Sequence, residues 1–284
     1  MKNGWLFYED KEYYIRYLNI LGIVPQKPSF NALSEILNSH LTRIPFENIS
    51  KLYYRKKLNQ ISIPSFEQFL QGIEDFNFGG TCFAINYYLY CLLGHLGYDA
   101  KLCGADTSQP DMHIVIIVKI NNQNYMVDAG NAAPFFDPIP LNIKDNFEIT
   151  RGGESYIFEP GKKPGTITMK HLRNGTLKYY YTVNPEPRSI TDFHPAIMDS
   201  FRNDAVFMNS VYLAKTNKEM SKTIHNFTLT KSENKITEIT KLENWTSVTE
   251  KIVSIFSISE NIVKTAIEGI DTPVSLWDIK ASGM

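Results

Sequence analysis

Apolar residues in the first hundred positions recur at intervals of three and four, which is the spacing of one face of an α-helix. This pattern predicts helices over residues 8–21, 29–43, 65–73 and 82–96. Gly22 and Gly97 follow two of them, at the place where a left-handed residue often ends a helix. Ser65 with Gln68 three residues later is typical of a capping box. The N-terminal part is therefore predicted to be a helical bundle.

The pattern changes after residue 98 to the short alternating runs of β-strands. Strands are predicted over residues 100–105, 113–120 and 125–128, with residues 121–124 as the polar turn of a hairpin. Further β-like runs over 165–171 and 176–183 are separated by Gly, Asn and Pro, which favours a small antiparallel sheet or barrel. We expect this middle unit to end near Pro195.

The last third mixes both periods. Strands over 225–230 and 236–239 flank a polar turn, and amphipathic helices follow over about 243–256 and 259–269. The chain is therefore predicted to be an α+β protein with three units. These units are residues 1–97, 98–200 and 201–284.

The charges of the chain are balanced, with 29 Lys and Arg against 30 Asp and Glu and a formal net charge of -1. No global positive field is present to gather nucleic acid or an anionic membrane, so we expect neither as a partner. The N-terminal residues mix charged and apolar side chains, unlike a signal peptide, and no apolar run approaches the length of a membrane span. The three cysteines suit a reducing compartment, and the cytoplasm is the predicted location.

Cys82 stands out because it opens a predicted helix directly after Gly79, Gly80 and Thr81. The partial positive charge of a helix N-terminus favours a thiolate, and the unpaired amides of the first turn can hold an oxyanion. Cys82 is therefore the candidate nucleophile. A buried structural thiol is the ordinary alternative, and it is the interpretation that we prefer for Cys91 and Cys103.

A nucleophilic cysteine needs a base and a group that orients the base. If Asn121 and Asn122 form the hairpin turn, His113 pairs with Gly130 and Asp128 pairs with Val115, so the imidazole and the carboxylate lie on one face of the sheet. A slip of one residue would place them on opposite faces. Taken singly, each residue also has a structural interpretation, a hydrogen-bonded strand histidine and an aspartate that starts a turn.

Motifs for other chemistries are missing from the sequence. No CxxC pair or HExxH motif is present, so we predict no metal. No GxxxxGK[ST] or GxGxxG phosphate loop is complete. The remaining histidines have no cysteine or carboxylate at an informative spacing, and we expect them to be structural or exposed.

Three motifs together resemble the arylamine N-acetyltransferase family. They are Ile44-Pro45-Phe46-Glu47-Asn48, Gly79-Gly80-Thr81-Cys82-Phe83, and His113 followed by Tyr125-Met126-Val127-Asp128-Ala129-Gly130. The resemblance is firm over residues 8–145. It implies an N-terminal helical bundle, a central antiparallel β-barrel and a C-terminal α/β lid, with a Cys-His-Asp core like that of cysteine proteases.

The same resemblance implies a cytoplasmic acyltransferase with Cys82, His113 and Asp128 as its catalytic residues. Acetyl would pass from acetyl-CoA to Cys82 as a thioester, and then to an arylamine, arylhydrazine or arylhydroxylamine, in a ping-pong sequence. Phe46 and Met112 are predicted to line the acceptor pocket, and both also suit the core. Acetyl-CoA and the aromatic amine are the expected small-molecule partners, and acetyl-CoA is a substrate, not a bound cofactor.

Several positions depart from the family pattern. Phe78 stands where the family usually has Arg, Ala84 where it usually has Glu, and Ile20 at a position that corresponds to another Arg. Because a lone buried charge is costly, this joint loss suggests that apolar packing replaces a charge network around Glu47. Asn131 and Ala132 stand where the family commonly has an aromatic residue and a glycine, and the segment around 106–112 is shorter than usual. We therefore expect a wider or more open acceptor pocket and slow transfer to small arylamines.

Two other functions are also compatible with the sequence. The order Cys, His, Asp is also similar to that of transglutaminase-like and amide-forming enzymes, which use an amide donor in place of a CoA thioester. The departures at Phe78 and Ala84 also suit a catalytically silent homologue that acts as a binding protein. Reactivity of Cys82 at neutral pH separates the silent protein from the two enzymes.

Overall fold

Helices dominate the N-terminal part of the protein. The computed structural model describes residues 11–234 and 236–275. Within them the first five helices are α1 Lys11–Leu21, α2 Phe30–Arg43, α3 Ile49–Leu58, α4 Phe66–Phe76 and α5 Cys82–His95. Four of these were predicted from the sequence, although the predicted start of α1 at residues 8–10 lies outside the described residues. Helix α3 was not predicted, because its run of Lys, Tyr and Arg carries only a weak apolar stripe.

Helix capping follows the sequence signals. The Ser29 and Ser65 side chains accept hydrogen bonds from the amides of Ala32 and Gln68, which fixes the starts of α2 and α4. The Gln68 side chain donates to Gln60 and does not return to the cap, so the reciprocal half of the predicted capping box is not formed. Gly22 has a φ of +63°, the left-handed conformation expected where α1 ends.

A large antiparallel sheet forms the middle of the molecule. Its strands are β2 Asp99–Asp106, β3 His113–Ile120, β4 Gln123–Val127, β5 Ile139–Pro140, β6 Phe147–Arg151, β7 Glu154–Pro160, β8 Ile167–Arg173 and β9 Thr176–Pro187. They lie in the order β5-β4-β3-β2-β9-β8-β7-β6. The edge strands β5 and β6 are not neighbours, so the sheet is open where the sequence predicted a barrel. Strands β6 and β7 were not predicted.

Strand β3 separates two apolar cores. Ile114, Ile116 and Val118 pack against the helices, whereas Val115 and Ile117 point into a second core on the opposite face of the sheet. That second core also contains residues of β7 and β8, so the sheet curls around it. His113 and Asp128 lie at the ends of β3 and β4, and the hairpin between these strands has the predicted register, with Ile120 opposite Gln123 and Ile116 opposite Val127.

The C-terminal region contains β10 Tyr212–Thr216, β11 Met220–His225, β12 Thr228–Glu233, β13 Ile236–Lys241, α6 His194–Asp199, α7 Trp245–Phe256 and α8 Glu260–Ile267. The helices α7 and α8 agree with the sequence. The strand predicted over residues 225–230 is displaced: Asn226 is left-handed (φ 49°) and makes the turn after β11, so β12 begins at Thr228 and continues to Glu233. The short strand β1 Phe46–Glu47 pairs with β10 and joins this second sheet, whose order is β1-β10-β11-β12-β13.

The C-terminal sheet and helices share their apolar core with α3 from the N-terminal part. Ile49 and Leu52 of α3 pack in the same cluster as Val248 and Ile252 of α7. The unit boundaries near residues 97 and 200 stay predictions. Among the described helices, none is both long and apolar enough to cross a membrane.

Candidate active site

Cys82 is the first residue of α5, and the backbone before it is held by close contacts. A Cβ atom on Gly79 would lie 1.8 Å from the carbonyl oxygen of Pro45, so only glycine fits there. Gly80 forms a parallel bridge with Phe46 of β1. The Thr81 side chain makes no capping hydrogen bond, which leaves the first-turn amides of α5 free of a side-chain cap. The cysteine side chain is partly exposed.

Glu47 is hydrogen-bonded to the segment that precedes Cys82. Its Oε1 accepts a hydrogen bond from the Gly79 amide at 3.0 Å and its Oε2 accepts one from the Ser50 amide at 2.8 Å. The side chain is fully buried, and burial raises the pKa of its carboxyl despite these hydrogen bonds. Backbone amides therefore take the place of the cations that the family pattern leads one to expect around this glutamate.

His113 and Asp128 form a buried pair beside the helix N-terminus. The His113 Nε2 lies 2.8 Å from Asp128 Oδ2, and the two side chains share the inner face of the β3–β4 hairpin. Asn121 and Asn122, which form the turn, both have positive φ values (49° and 65°), as a two-residue turn of this kind requires. The hairpin register thus brings the imidazole and the carboxylate together as the sequence predicted.

Four donors surround the Asp128 carboxylate. Oδ2 accepts from His113 and from the hydroxyl of Tyr181 on β9, at 2.8 Å each. Oδ1 accepts from the Asn86 amide nitrogen at 2.8 Å and from the Gly130 backbone at 3.1 Å. The Asp128 side chain is 0% exposed. A buried carboxylate is stable in such a setting because each lone pair meets a donor.

The imidazole of His113 is strongly basic in this environment. Burial lowers its pKa, but the charge and the hydrogen bond of Asp128, together with a hydrogen bond to the Cys82 side chain, outweigh burial and raise the pKa of His113 from 6.5 to about 10. Gly130 approaches Cys82 so closely that a Cβ would lie 2.8 Å from the Cys82 Cα. The turn after β4 and the start of α5 are therefore packed against each other.

Phe46 and Met112 are the other two candidates from the sequence. Phe46 is buried against Phe207 and Tyr212. Met112 is partly buried in the turn before β3. Nothing in the structure tests a role for Phe46 or Met112 in substrate binding, which stays a prediction. Within the described residues, no three His, Cys, Asp or Glu side chains are grouped as metal ligands.

Apolar packing occupies the positions that depart from the family pattern. The buried Phe78 ring lies against Tyr53, Tyr54 and Phe76 in an aromatic cluster. Ala84 is buried on α5. Both residues line a cavity beside the start of α5. The expected replacement of charges by apolar contacts therefore accounts for Phe78 and Ala84.

Three polar residues of this region were not singled out from the sequence. Asn86 lies one turn after Cys82, and its Oδ1 also accepts hydrogen bonds from the Ala129 and Gly130 amides. Its position one turn after Cys82, in a helix that is otherwise mostly apolar, could have identified it from the sequence. Tyr181 is one of three consecutive tyrosines, and nothing in the pattern selects it. Lys51 lies on α3, the helix that the sequence did not predict.

A family model described as N-acetyltransferase matches residues 29–264, which is most of the chain. The chain belongs to the arylamine N-acetyltransferase family. Among curated relatives, arylamine N-acetyltransferase 1 of Oryctolagus cuniculus is 23% identical over 193 residues, covering 60% of this chain and 65% of the relative. Human arylamine N-acetyltransferase 2 is 26% identical over 190 residues, covering 59% and 64%. The matches thus span less than two thirds of the length of these relatives.

Solved arylamine N-acetyltransferases share the fold over nearly the whole chain. The protein from Nocardia farcinica superposes with a TM-score of 0.76 at 18% identity, covering 92% of this chain and 98% of that one. The protein from Mycobacterium marinum, solved in complex with CoA, gives a TM-score of 0.74 at 17% identity, covering 90% and 99%. At this level of identity the likeness establishes the mixed α+β fold of the family and nothing about substrates.

Proposed function

We propose that the protein transfers acetyl from acetyl-CoA to an arylamine, arylhydrazine or arylhydroxylamine, with Cys82 carrying the acetyl group between two half-reactions. The observation that supports this most directly is the His113–Asp128 hydrogen bond beside a cysteine that opens a helix. Relatives named as arylamine N-acetyltransferases, and one solved with CoA, support the choice of donor and acceptor.

In the first half-reaction the Cys82 sulfur attacks the acetyl carbonyl and forms a tetrahedral intermediate. His113 holds the thiol proton as an imidazolium and gives it to the departing CoA sulfur, so a thioester is exchanged for a thioester. The first-turn amides of α5, which have no side-chain cap, hold the oxyanion in this proposal. Asp128 keeps the imidazole oriented and stabilises its charge.

In the second half-reaction an amine attacks the acetyl-enzyme. His113, now neutral, removes the proton from the attacking nitrogen, and the bond between the acetyl carbon and Cys82 breaks. The product is an amide and the thiol is regenerated. We assign Phe46 and Met112 to the acceptor side of this site, and we place the reaction in the cytoplasm because all three cysteines are free thiols.

Mass spectrometry of the acetyl-enzyme tests this function. After brief treatment with acetyl-CoA and an acid quench, we expect one acetyl group on the Cys82 peptide, which disappears when aniline or an arylhydrazine is added. Cys91 and Cys103 are internal controls, because burial raises the pKa of each thiol to about 12. Acetyl found only on these cysteines or on lysines would exclude the mechanism.

The same experiment addresses the two alternatives. A protein that leaves acetyl-CoA untouched but forms an acyl-enzyme from a peptide-type amide belongs with the amide-forming enzymes. A protein whose Cys82 reacts with iodoacetamide no faster than a free thiol is the silent binding homologue. The outcome expected from the paired imidazole is rapid reaction of Cys82 with both iodoacetamide and acetyl-CoA.

A further inference from the structure

A buried lysine lines the cavity next to the start of α5. The cavity has a volume of about 40 Å³, is partly open to solvent, and is bounded by residues of α3, α4, α5 and the segment 197–201. It includes Thr81 and Phe83, the two neighbours of Cys82, and Lys51 of α3. The cavity is therefore lined by the segment that contains Cys82, and Lys51 is a basic residue of its lining.

Lys51 forms no ion pair with a carboxylate among the described residues. It is 9% exposed. Its Nζ donates a hydrogen bond to Ser200 Oγ at 2.7 Å and lies 3.9 Å from the centre of the Phe201 ring. Both of these contacts are made to neutral groups that also line the cavity. Since buried ammonium groups are normally paired with a carboxylate, this one is set up to accept an anion.

The electrostatics of the cavity agree with this arrangement. Burial lowers the pKa of Lys51 to about 7, and the charge of Cys82 acts in the opposite direction. Tyr54, which also faces the cavity, stays neutral because burial raises its pKa. Glu47 does not line the cavity, and its oxygens accept hydrogen bonds from the amides of Ser50 and Gly79. An anion in the cavity would therefore meet a lysine that forms no ion pair with a carboxylate of the described residues.

We propose that Lys51 forms a binding site for a substrate carboxylate in the cavity beside Cys82. The diphosphate of a CoA thioester is separated from the reacting sulfur by the whole pantetheine arm, so it does not supply this anion. The carboxylate belongs either to an acidic acyl group on the donor or to an acidic acyl acceptor. Lys51 is in this sense a specificity-determining residue, and this part of the inference rests on the proposed acyl transfer.

Alkylation of Cys82 with two matched reagents tests the site without any acyl transfer. Iodoacetate and iodoacetamide have nearly the same shape and differ in charge. At pH 6, where Lys51 is protonated, we expect the rate ratio of iodoacetate to iodoacetamide at Cys82 to be about tenfold higher in the wild type than in Lys51→Met, as a charge-assisted contact predicts. Any general effect of Lys51 on the reactivity of the thiol cancels in the ratio.

Lys57→Met provides the control, because Lys57 is exposed on the same helix. The control keeps the wild-type ratio. Equal ratios in the wild type and Lys51→Met overturn the proposal. Slow reaction of both reagents, at the rate of a free thiol, instead overturns the proposed function, so the two failures are distinguishable. Mass mapping of the alkylated peptide confirms that the rates report on Cys82.

Kinetics with acidic substrates identify the source of the carboxylate. One arm compares succinyl-CoA with acetyl-CoA as donor, and the other compares 4-aminobenzoate with aniline as acceptor. In one arm we expect Lys51→Met to lower kcat/KM for the acidic substrate about tenfold more than for its neutral counterpart. A variant that affects acidic and neutral substrates equally in both arms overturns the assignment of Lys51 to substrate specificity.

Discussion

Asp128 is surrounded by hydrogen-bond donors. Both of its oxygens are fully engaged, by side chains on one oxygen and by an amide side chain and a backbone amide on the other. A carboxylate satisfies all four donors at once. A carboxamide cannot, because its nitrogen only donates. At the Oδ1 position that nitrogen opposes the N–H groups of Asn86 and Gly130. At the Oδ2 position it forces His113 into the wrong tautomer. The position is therefore specific for Asp for reasons of hydrogen bonding as well as of charge.

Asp128→Asn is expected to reduce the rate of Cys82 acetylation by about 10⁴-fold, the loss seen for the equivalent change in another triad. It also costs roughly 1–3 kcal/mol of stability, because a donor faces a donor in the buried site. Single-turnover acetylation and urea denaturation measure the two effects. Asp137→Asn is the control, since Asp137 is exposed. Near-normal acetylation by Asp128→Asn would remove Asp128 from the catalytic machinery.

The high pKa of His113 predicts the pH dependence of the first half-reaction. The folded pKa is raised from 6.5 to about 10, so the imidazolium persists through neutral pH and is lost as the pH rises through about 10. Because the imidazolium protonates the leaving sulfur, acetylation is expected to stay high above pH 6.5 and to fall only near pH 10. Brief pH jumps with single-turnover detection measure this limb. A fall centred near pH 6.5 would contradict the strong coupling between His113 and Asp128.

At the scale of elements, the sequence predicted those features that depend only on neighbouring residues in the chain. Ser29 and Ser65 are the N-caps of α2 and α4, as predicted. The two asparagines after β3 fix the hairpin register that brings His113 next to Asp128. Contacts between segments that are far apart in the chain could not be predicted from such local patterns. Helix α3 is held by apolar packing against α7 and α8, and Tyr181 reaches Asp128 from a strand 53 residues further along the chain.

The contact between α1 and α2 contains a buried histidine. His40 is 0% exposed, and its Nε2 lies 2.7 Å from the Tyr17 hydroxyl. Its Nδ1 has no hydrogen-bond partner among the described residues. A second proton would therefore add a charge and an unpaired donor to the core, and burial lowers the pKa of His40 to about 3.

This histidine predicts a loss of stability in acid. The unfolded chain takes up the His40 proton below about pH 6.5, whereas the folded chain does so only near pH 3. The contribution of neutral His40 to the free energy of unfolding is therefore fully present above pH 6.5. Between about pH 6.5 and 3 it falls by about 1.4 kcal/mol for each unit by which the pH decreases. Urea denaturation between pH 7 and 4 measures the slope. His40→Gln keeps a hydrogen-bonding amide without titrating, and its slope should be shallower by that amount; equal slopes would contradict the assignment.

At the scale of the whole molecule, Asn48 connects the N-terminal segment to the C-terminal sheet. Its side-chain nitrogen donates to the carbonyls of Phe207 and Ser210, and its oxygen accepts from the Tyr212 amide. The residue is fully buried. Strand β1, which precedes it, pairs on one side with β10 and on the other with Gly80. One short segment thus links the C-terminal sheet to the backbone that positions Cys82.

Asn48→Asp is expected to be strongly destabilising. The new carboxylate faces two carbonyl oxygens, and a buried charge without a partner costs roughly 3–5 kcal/mol. Thermal and urea denaturation measure the loss. Asn261→Asp is the matched control, because Asn261 is exposed in the first turn of α8 and the change there should stay within about 0.5 kcal/mol. Similar stabilities for the two variants would show that Asn48 does not hold the segments together.

The place of β1 between two distant parts of the chain limits how such a protein can be rearranged. The sheet that contains β10 to β13 is incomplete without a strand supplied from residues 46 and 47. An exchange of the C-terminal third between homologues would therefore replace one partner of this pairing and keep the other. Chimaeras of that kind would carry mismatched contacts at the strand that also pairs with Gly80, two residues before Cys82, so the regions before and after residue 200 depend on each other structurally.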